Sequence, residues 1–122
     1  MTIKSLQYLI RLGVFLTFLG HGVFALYTNP NWIKYLNTVG FDSETASKLM
    51  PVIGGIDILV AIVILLKPYK AFVIWAFIWA FSTALIRPLS GEPIWAFIER
   101  GSNWVLPLVL LIMLQKKNQK YN

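Results

Sequence analysis

Residues 49–66 read LMPVIGGIDILVAIVILL, an apolar run that contains one ionisable side chain, Asp57. A run of this length is sufficient for a transmembrane helix, which needs about 17–25 residues. A charged group near the centre of such a helix costs about 2.5–3.5 kcal/mol or more. Asp57 is therefore expected to have a polar partner, a water cavity or a function that offsets this cost.

The composition of the whole chain indicates an integral membrane protein. Of its 122 residues, 57% are hydrophobic and 13% are charged, whereas a soluble domain has about 25% charged residues. The net charge of +6 does not indicate nucleic-acid binding, because the basic residues lie at the ends of apolar runs, where membrane topology explains them. The absence of cysteine excludes a thiol mechanism, a thiolate zinc site and a cysteine-ligated iron–sulfur cluster in this chain.

Four apolar runs predict an all-α fold, a membrane-embedded four-helix bundle that forms a single domain over residues 1–122. The predicted spans are approximately residues 6–27, 49–66, 71–87 and 103–115. The last of these runs is short for a membrane span. No small-x-small cleavage site follows the first run, so we expect that run to remain as a helix and not to be removed as a signal peptide.

The loop between the first two spans is predicted to contain a short amphipathic helix. Its apolar residues recur at roughly helical spacing at Trp32, Ile33, Leu36 and Val39. This pattern is typical of an interfacial helix, and it places Trp32 and Tyr35 at headgroup level. Gly40 is expected to end this helix, and Asp42 or Ser43 to cap the next one.

The distribution of Lys and Arg predicts that both termini are cytoplasmic. In that orientation seven basic residues lie on the inner side and four on the outer side: Lys4, Arg11, Lys67, Lys70, Lys116, Lys117 and Lys120 against Lys34, Lys48, Arg87 and Arg100. The positive-inside rule favours this arrangement. Arg11 is expected to extend its side chain to the inner headgroups.

Two ionisable groups are predicted at the same depth below the outer surface. Helix rise places His21, the single histidine, about 9 Å below the end of the first span, and it places Asp57 about 10 Å below the start of the second. If the two side chains face each other, they can form a hydrogen-bonded ion pair in which each offsets the cost of burying the other.

Further polar residues collect at the outer end and predict a pocket there. Thr83 and Arg87 share a helix face with Ala76 and Ala80, so Arg87 is expected to point into the bundle. The candidate set for ligand binding or proton relay is His21, Asp57, Thr83, Arg87, Glu99, Arg100 and Asn103. The predicted walls are Trp75, Phe77, Trp79 and Phe81. No metal site is predicted, because one histidine and scattered carboxylates lack ligand spacing.

Several short motifs resemble those of the DoxX-like membrane proteins. They are Arg11 in the first helix, Gly-His-Gly at 20–22, Val-Gly-Phe at 39–41, and Gly-Gly-x-Asp at 54–57. The family usually has glutamate at the position of Asp57, and the second half of the chain matches no family motif. The resemblance implies a four-helix protein of the bacterial inner membrane. It also implies partner subunits of a membrane redox or stress-response complex, such as the DoxD-type subunit of thiosulfate:quinone oxidoreductases, with quinone as the associated molecule.

Three functions follow as alternatives from these observations. The first is a redox-complex subunit whose outer pocket binds a quinone or another lipid-like molecule, with His21 and Asp57 relaying protons. The second is a proton-coupled small-molecule transporter acting as a homo-oligomer. The third is a non-catalytic assembly subunit whose polar cluster joins helices. No nucleophile–base–orienter set indicates hydrolysis. The resemblance implies at most one subunit of a membrane oxidoreductase and leaves open whether the chain is itself an enzyme.

Overall fold

A computed structural model describes the backbone of residues 1–121 and the side chains of residues 1–116. The predicted all-α class is confirmed, and no strand occurs among residues 1–121. The helices are α1 (Ile3–Leu26), α2 (Ile33–Thr38), α3 (Ser43–Leu66), α4 (Lys70–Leu89), α5 (Trp95–Ile98) and α6 (Gly101–Tyr121), with a 3-10 turn at Pro30–Trp32 before α2. The side chains of Lys117 and Lys120, which were counted on the inner side, lie outside the described residues.

The helices begin where polar side chains cap them. The hydroxyl of Thr2 accepts a hydrogen bond from the Ser5 N–H at 3.0 Å and caps α1. Asp42 Oδ1 accepts from the Thr45 N–H at 2.7 Å, so the predicted cap is confirmed and α3 starts several residues before its apolar run. The short helix predicted in the first loop is confirmed as α2, and Gly40 follows it with a φ of 105°. That left-handed backbone favours glycine.

Three helices, α1, α3 and α4, are long and apolar enough to cross a membrane, and the apolar part of α6, Gly101–Lys116, is shorter. Large apolar side chains on the outside of the bundle are exposed, among them Leu9, Leu16, Phe24, Leu59, Ile62 and Ile78. Exposed apolar side chains in this number are typical of a surface that contacts a membrane or another protein. The end of the bundle that carries α2 is called the outer end below, after the predicted topology.

The bundle consists of two closely packed helix pairs. Helix α1 packs most extensively on α3, and α4 packs on α6, whereas α3 and α4 share few contacts although a short loop joins them. Contacts between α1 and α6 connect the pairs. The core between them combines small and large residues, including Val14, Phe18, Ala61, Ile64, Val73, Ala76 and Leu110. Alanines at the helix contacts allow the backbones to approach closely.

Helices α1 and α3 are closest where two glycines meet. A Cβ added to Gly54 would lie 2.6 Å from the Gly22 carbonyl oxygen and 2.7 Å from the Leu26 nitrogen. A Cβ added to Gly22 would lie 2.9 Å from the Gly54 carbonyl oxygen. Because these neighbours are backbone atoms, no side-chain movement can make room, and this crossing requires glycine on both helices.

Arg11 does not extend to the inner headgroups, so that expectation is wrong. The residue is 5% exposed. Its Nε donates to the Ile64 carbonyl at 3.0 Å, and its Nη2 donates to the Leu65 carbonyl. These carbonyls lie in the last turn of α3, where no following N–H of the helix can reach them. The guanidinium therefore caps the C-terminus of α3 and places a positive charge at the negative end of its dipole.

Candidate functional site: a cavity at the outer end

A cavity of about 200 Å³ lies at the outer end between α1, α3 and α4, with α2 beside it. Its walls are mainly apolar and include Ala25, Trp32, Leu36, Met50, Ile53 and Trp79. Its polar lining comes from His21, Tyr35, Asp57, Ser82, Thr83 and Arg87. A largely apolar cavity with a few polar groups is the usual form of a small-molecule site.

Asp57 is buried in this cavity and lacks a full set of hydrogen-bond partners. The residue is 4% exposed. It lies against the glycine crossing, since a Cβ on Gly22 would be 3.2 Å from the Asp57 Cβ. Asp57 Oδ1 accepts no hydrogen bond from the described residues, and a buried acceptor left in this state is costly unless something else binds it.

His21 lines the same cavity but is not joined directly to Asp57. The imidazole packs edge-on against the Trp32 indole, with ring centroids 5.8 Å apart. Among the described residues there is no hydrogen bond or ion pair between His21 and Asp57. The structure therefore brings the two groups to one cavity without the ion pair that their depth suggested.

Two hydroxyl groups of α4 present acceptor oxygens near the same region. Ser82 donates its proton to the Ile78 carbonyl at 2.8 Å, and Thr83 donates to the Ala80 carbonyl at 3.1 Å. Because each hydroxyl proton is used within the helix, the oxygens remain available as acceptors. These side chains add acceptors, and no free donor, to the cavity lining.

A polar cluster attaches α2 to α4 at the mouth of the cavity. The Tyr35 hydroxyl donates to Glu92 Oε2 at 2.5 Å and accepts from Arg87 Nη1 at 2.9 Å. Lys34 Nζ is 3.3 Å from Glu92 Oε2, and the hydroxyls of Thr38 and Ser90 are 2.7 Å apart. We call Lys34, Tyr35, Arg87 and Glu92 the mouth cluster. The Arg87 side chain is 11% exposed, so its predicted orientation into the bundle is confirmed.

The remaining candidate residues do not line the cavity. Glu99 and Arg100 form an ion pair with Oε1 and Nη1 2.5 Å apart, and the Asn103 N–H donates to the Arg100 carbonyl at 3.0 Å at the start of α6. Of the four predicted wall residues only Trp79 lines the cavity. Trp75 stacks on Trp79, whereas Phe77 and Phe81 pack against Trp104 of α6. Among residues 1–116, no group of three His, Asp or Glu side chains could hold a metal ion.

Tyr35 and Glu92 were not among the candidate site residues. The helical spacing in the first loop placed Tyr35 at headgroup level, whereas its hydroxyl points to α4 and completes the mouth cluster. A tyrosine on an amphipathic loop helix and an acid just after a span are the signals that could have suggested this pairing. The sequence does not show how the chain turns at residues 39–43, so it could not show that these two residues meet.

The pH response of the mouth cluster follows from Glu92. The Tyr35 hydrogen bond and the nearby Lys34 and Arg87 lower the pKa of Glu92 below its ordinary value. Its stabilising contribution is therefore complete above the ordinary glutamate pKa of about 4.3 and decreases as the pH falls below that value. We expect amide exchange in α2 to accelerate relative to the core as the pH is lowered to about 3.

Hydrogen exchange of the wild type and Glu92→Gln, each corrected for intrinsic rates, checks this expectation. Glu92→Gln should show fast α2 exchange already at neutral pH and little further change in acid. Glu44→Gln is the matched control, because Glu44 is exposed and, among residues 1–116, pairs with Lys48 alone. Equal acid sensitivity of α2 in the wild type and Glu92→Gln would contradict the role of Glu92.

No protein-family model, curated protein or solved structure matches this chain. The features of this chain that bear on its function are the cavity, the polar groups of the cavity and the apolar surface of the helices.

Proposed function

We propose that this chain is an integral membrane protein of the bacterial inner membrane that binds a lipid-like small molecule, such as a quinone headgroup, in the outer cavity. It acts as a non-enzymatic or accessory subunit of a membrane redox or stress-response complex, with membrane or periplasmic partner subunits. Its four apolar helices span the bilayer, and both termini are cytoplasmic.

The membrane placement is supported by the helices and by the charge distribution. Helices α1, α3 and α4 have sufficient length and hydropathy for a span. Large apolar side chains are exposed on the bundle surface. Contact between these side chains and water is unfavourable, so they favour a lipid environment. The excess of Lys and Arg on the side of the two termini favours the cytoplasmic orientation.

The single observation that carries the binding proposal is that Asp57 lines the cavity while its carboxylate lacks a full set of hydrogen-bond partners among residues 1–116. A residue that only joined helices would use its polar atoms on neighbouring helices, as Tyr35 and Arg87 do at the mouth cluster. Asp57 Oδ1 makes no such bond with the described residues. An intramembrane ionisable residue without a protein partner is typical of a functional site.

The redox setting of the proposal comes from the resemblance to DoxX-like proteins. That resemblance is carried by short motifs of the first half, and two of them, at residues 20–22 and 54–57, contain His21 and Asp57. Both residues line the cavity. This coincidence supports a quinone or similar ring compound as the class of molecule to test first.

Native mass spectrometry of protein extracted gently from its own membrane tests the proposal. We expect a bound small molecule in the wild type and several-fold less of it in Asp57→Asn, which replaces one acceptor oxygen by an amide donor. Glu44→Gln, which changes an exposed acid in the same way, should retain the molecule. Circular dichroism should show that all three proteins are folded.

Two results would contradict this proposal. A wild-type protein that carries partner subunits but no small molecule would favour the assembly role. Equal occupancy in the wild type and Asp57→Asn would show that the bound molecule does not use the outer cavity.

A further inference from the structure

We infer that the outer cavity recognises a single-ring molecule through a neutral hydroxyl group that donates to Asp57, and that it therefore prefers a hydroxylated ring to its carbonyl or unsubstituted counterpart. This inference rests on the proposed function and specifies the ligand of the same cavity: of a quinone and its reduced dihydroxy form, the cavity would favour the reduced form.

The volume of the cavity sets the size of the group that enters it. An apolar protein cavity of about 150 Å³ accommodates benzene. The outer cavity, at about 200 Å³, is therefore large enough for one six-membered ring with one or two small substituents. Because the cavity is half open, a chain attached to the ring would leave through its open side.

The apolar walls suit the faces of a ring. The indoles of Trp32 and Trp79 line the cavity from the α2 side and from α4, and Met50 and Ile53 line it from α3. Aromatic and thioether side chains make favourable contacts with ring faces and edges. This lining gives affinity without hydrogen-bond specificity, which has to come from the polar groups.

The polar groups next to Asp57 favour a ligand that donates a hydrogen bond. Asp57 Oδ1 is buried and accepts nothing from the described residues. Ser82 and Thr83 use their protons on backbone carbonyls and leave only acceptor oxygens. A ligand that carries only carbonyl oxygens would leave the Asp57 carboxylate without a donor, which is a costly arrangement for a buried polar group.

A neutral hydroxyl fits better than an ammonium group. Arg87 lines the same cavity. A positively charged ligand would therefore enter beside a guanidinium group, whereas a hydroxyl donates to Asp57 without that repulsion.

The experiment compares phenol with fluorobenzene, two rings of nearly equal size of which only phenol has a donor. Dissociation constants are measured by calorimetry on the full chain in detergent, for the wild type and for Asp57→Val, which removes both acceptor oxygens. The ratio of the two constants is compared between proteins, because partition of each ring into detergent then cancels. We expect the ratio of the fluorobenzene constant to the phenol constant to be at least about tenfold larger in the wild type than in Asp57→Val.

Each outcome separates this inference from the proposed function. An equal ratio in the two proteins, with both rings bound, would overturn the hydroxyl assignment and leave the cavity as a binding site. Saturable binding of neither ring would overturn both. Tighter binding of benzylamine than of phenol would show that the donor is a cation. If Asp57→Val fails to fold, Asp57→Asn replaces it. Because Asp57→Asn retains one oxygen, it should still prefer phenol, but less strongly than the wild type.

Discussion

Replacing Gly54 by alanine is expected to lower the free energy of unfolding by about 3 kcal/mol, which is typical of an added methyl group in a packed interior that cannot relax. The new Cβ would lie 2.6 Å from the Gly22 carbonyl oxygen and 2.7 Å from the Leu26 nitrogen. Helices α1 and α3 would have to separate, and Asp57, less than one turn further along α3, would move with them. Titration with a denaturing detergent, followed by circular dichroism, measures this loss.

The adjacent residue provides a matched control for this substitution. Gly55 is exposed, and a Cβ added to it would meet nothing within 4 Å. Gly55→Ala should therefore be neutral or stabilise the helix by up to about 1 kcal/mol, since alanine favours helix more than glycine. Wild-type stability of both alanine variants would contradict the close approach of α1 and α3 at Gly22 and Gly54.

Replacing Arg11 by methionine is expected to cost about 3 kcal/mol of stability, because two carbonyls at the end of α3 lose a charged donor. Methionine retains much of the side-chain length, so the loss reports on the hydrogen bonds and the charge more than on packing. The same detergent titration measures it. Hydrogen exchange should locate the effect in the last turn of α3, at Ile64 and Leu65, whose carbonyls Arg11 binds.

Arg11→Lys distinguishes the capping role from a role in topology alone. Lysine retains the positive charge that the positive-inside rule counts, but its single ammonium cannot reproduce the planar fork of the guanidinium. We therefore expect Arg11→Lys to lose roughly half as much stability as Arg11→Met. Lys4→Met, which removes an exposed charge from the same end of α1, should change stability little. Wild-type stability of Arg11→Lys would favour the topological role.

Periodicity and helix rise were sufficient for features that depend on one helix at a time. The spacing of Ala76, Ala80, Thr83 and Arg87 predicted their common face, and Ala76 and Ala80 are indeed buried. Asp57 could be identified because a carboxylate in an apolar run is unfavourable wherever the helix lies. The cap at Asp42 followed in the same way from local chemistry.

Features that depend on the rotation of two helices could not be predicted in this way. Matching depth suggested an ion pair between His21 and Asp57, but depth does not fix the directions in which the side chains point. Arg11 was expected to reach headgroups because the sequence does not show that α3 ends beside it. Phe77 and Phe81 were placed at the pocket because an aromatic-rich helix gives no signal for which side meets α6.

The two helix pairs of the bundle meet at the outer cavity, and both contribute residues to its lining. The first pair supplies His21 and Asp57 to the cavity, and α4 of the second pair supplies Trp79 and Arg87. A molecule held in the cavity therefore touches both pairs across the boundary where α3 and α4 share few contacts. Binding of such a molecule would stabilise the association of the two helix pairs. The bundle would therefore be more stable when the cavity is occupied than when it is empty.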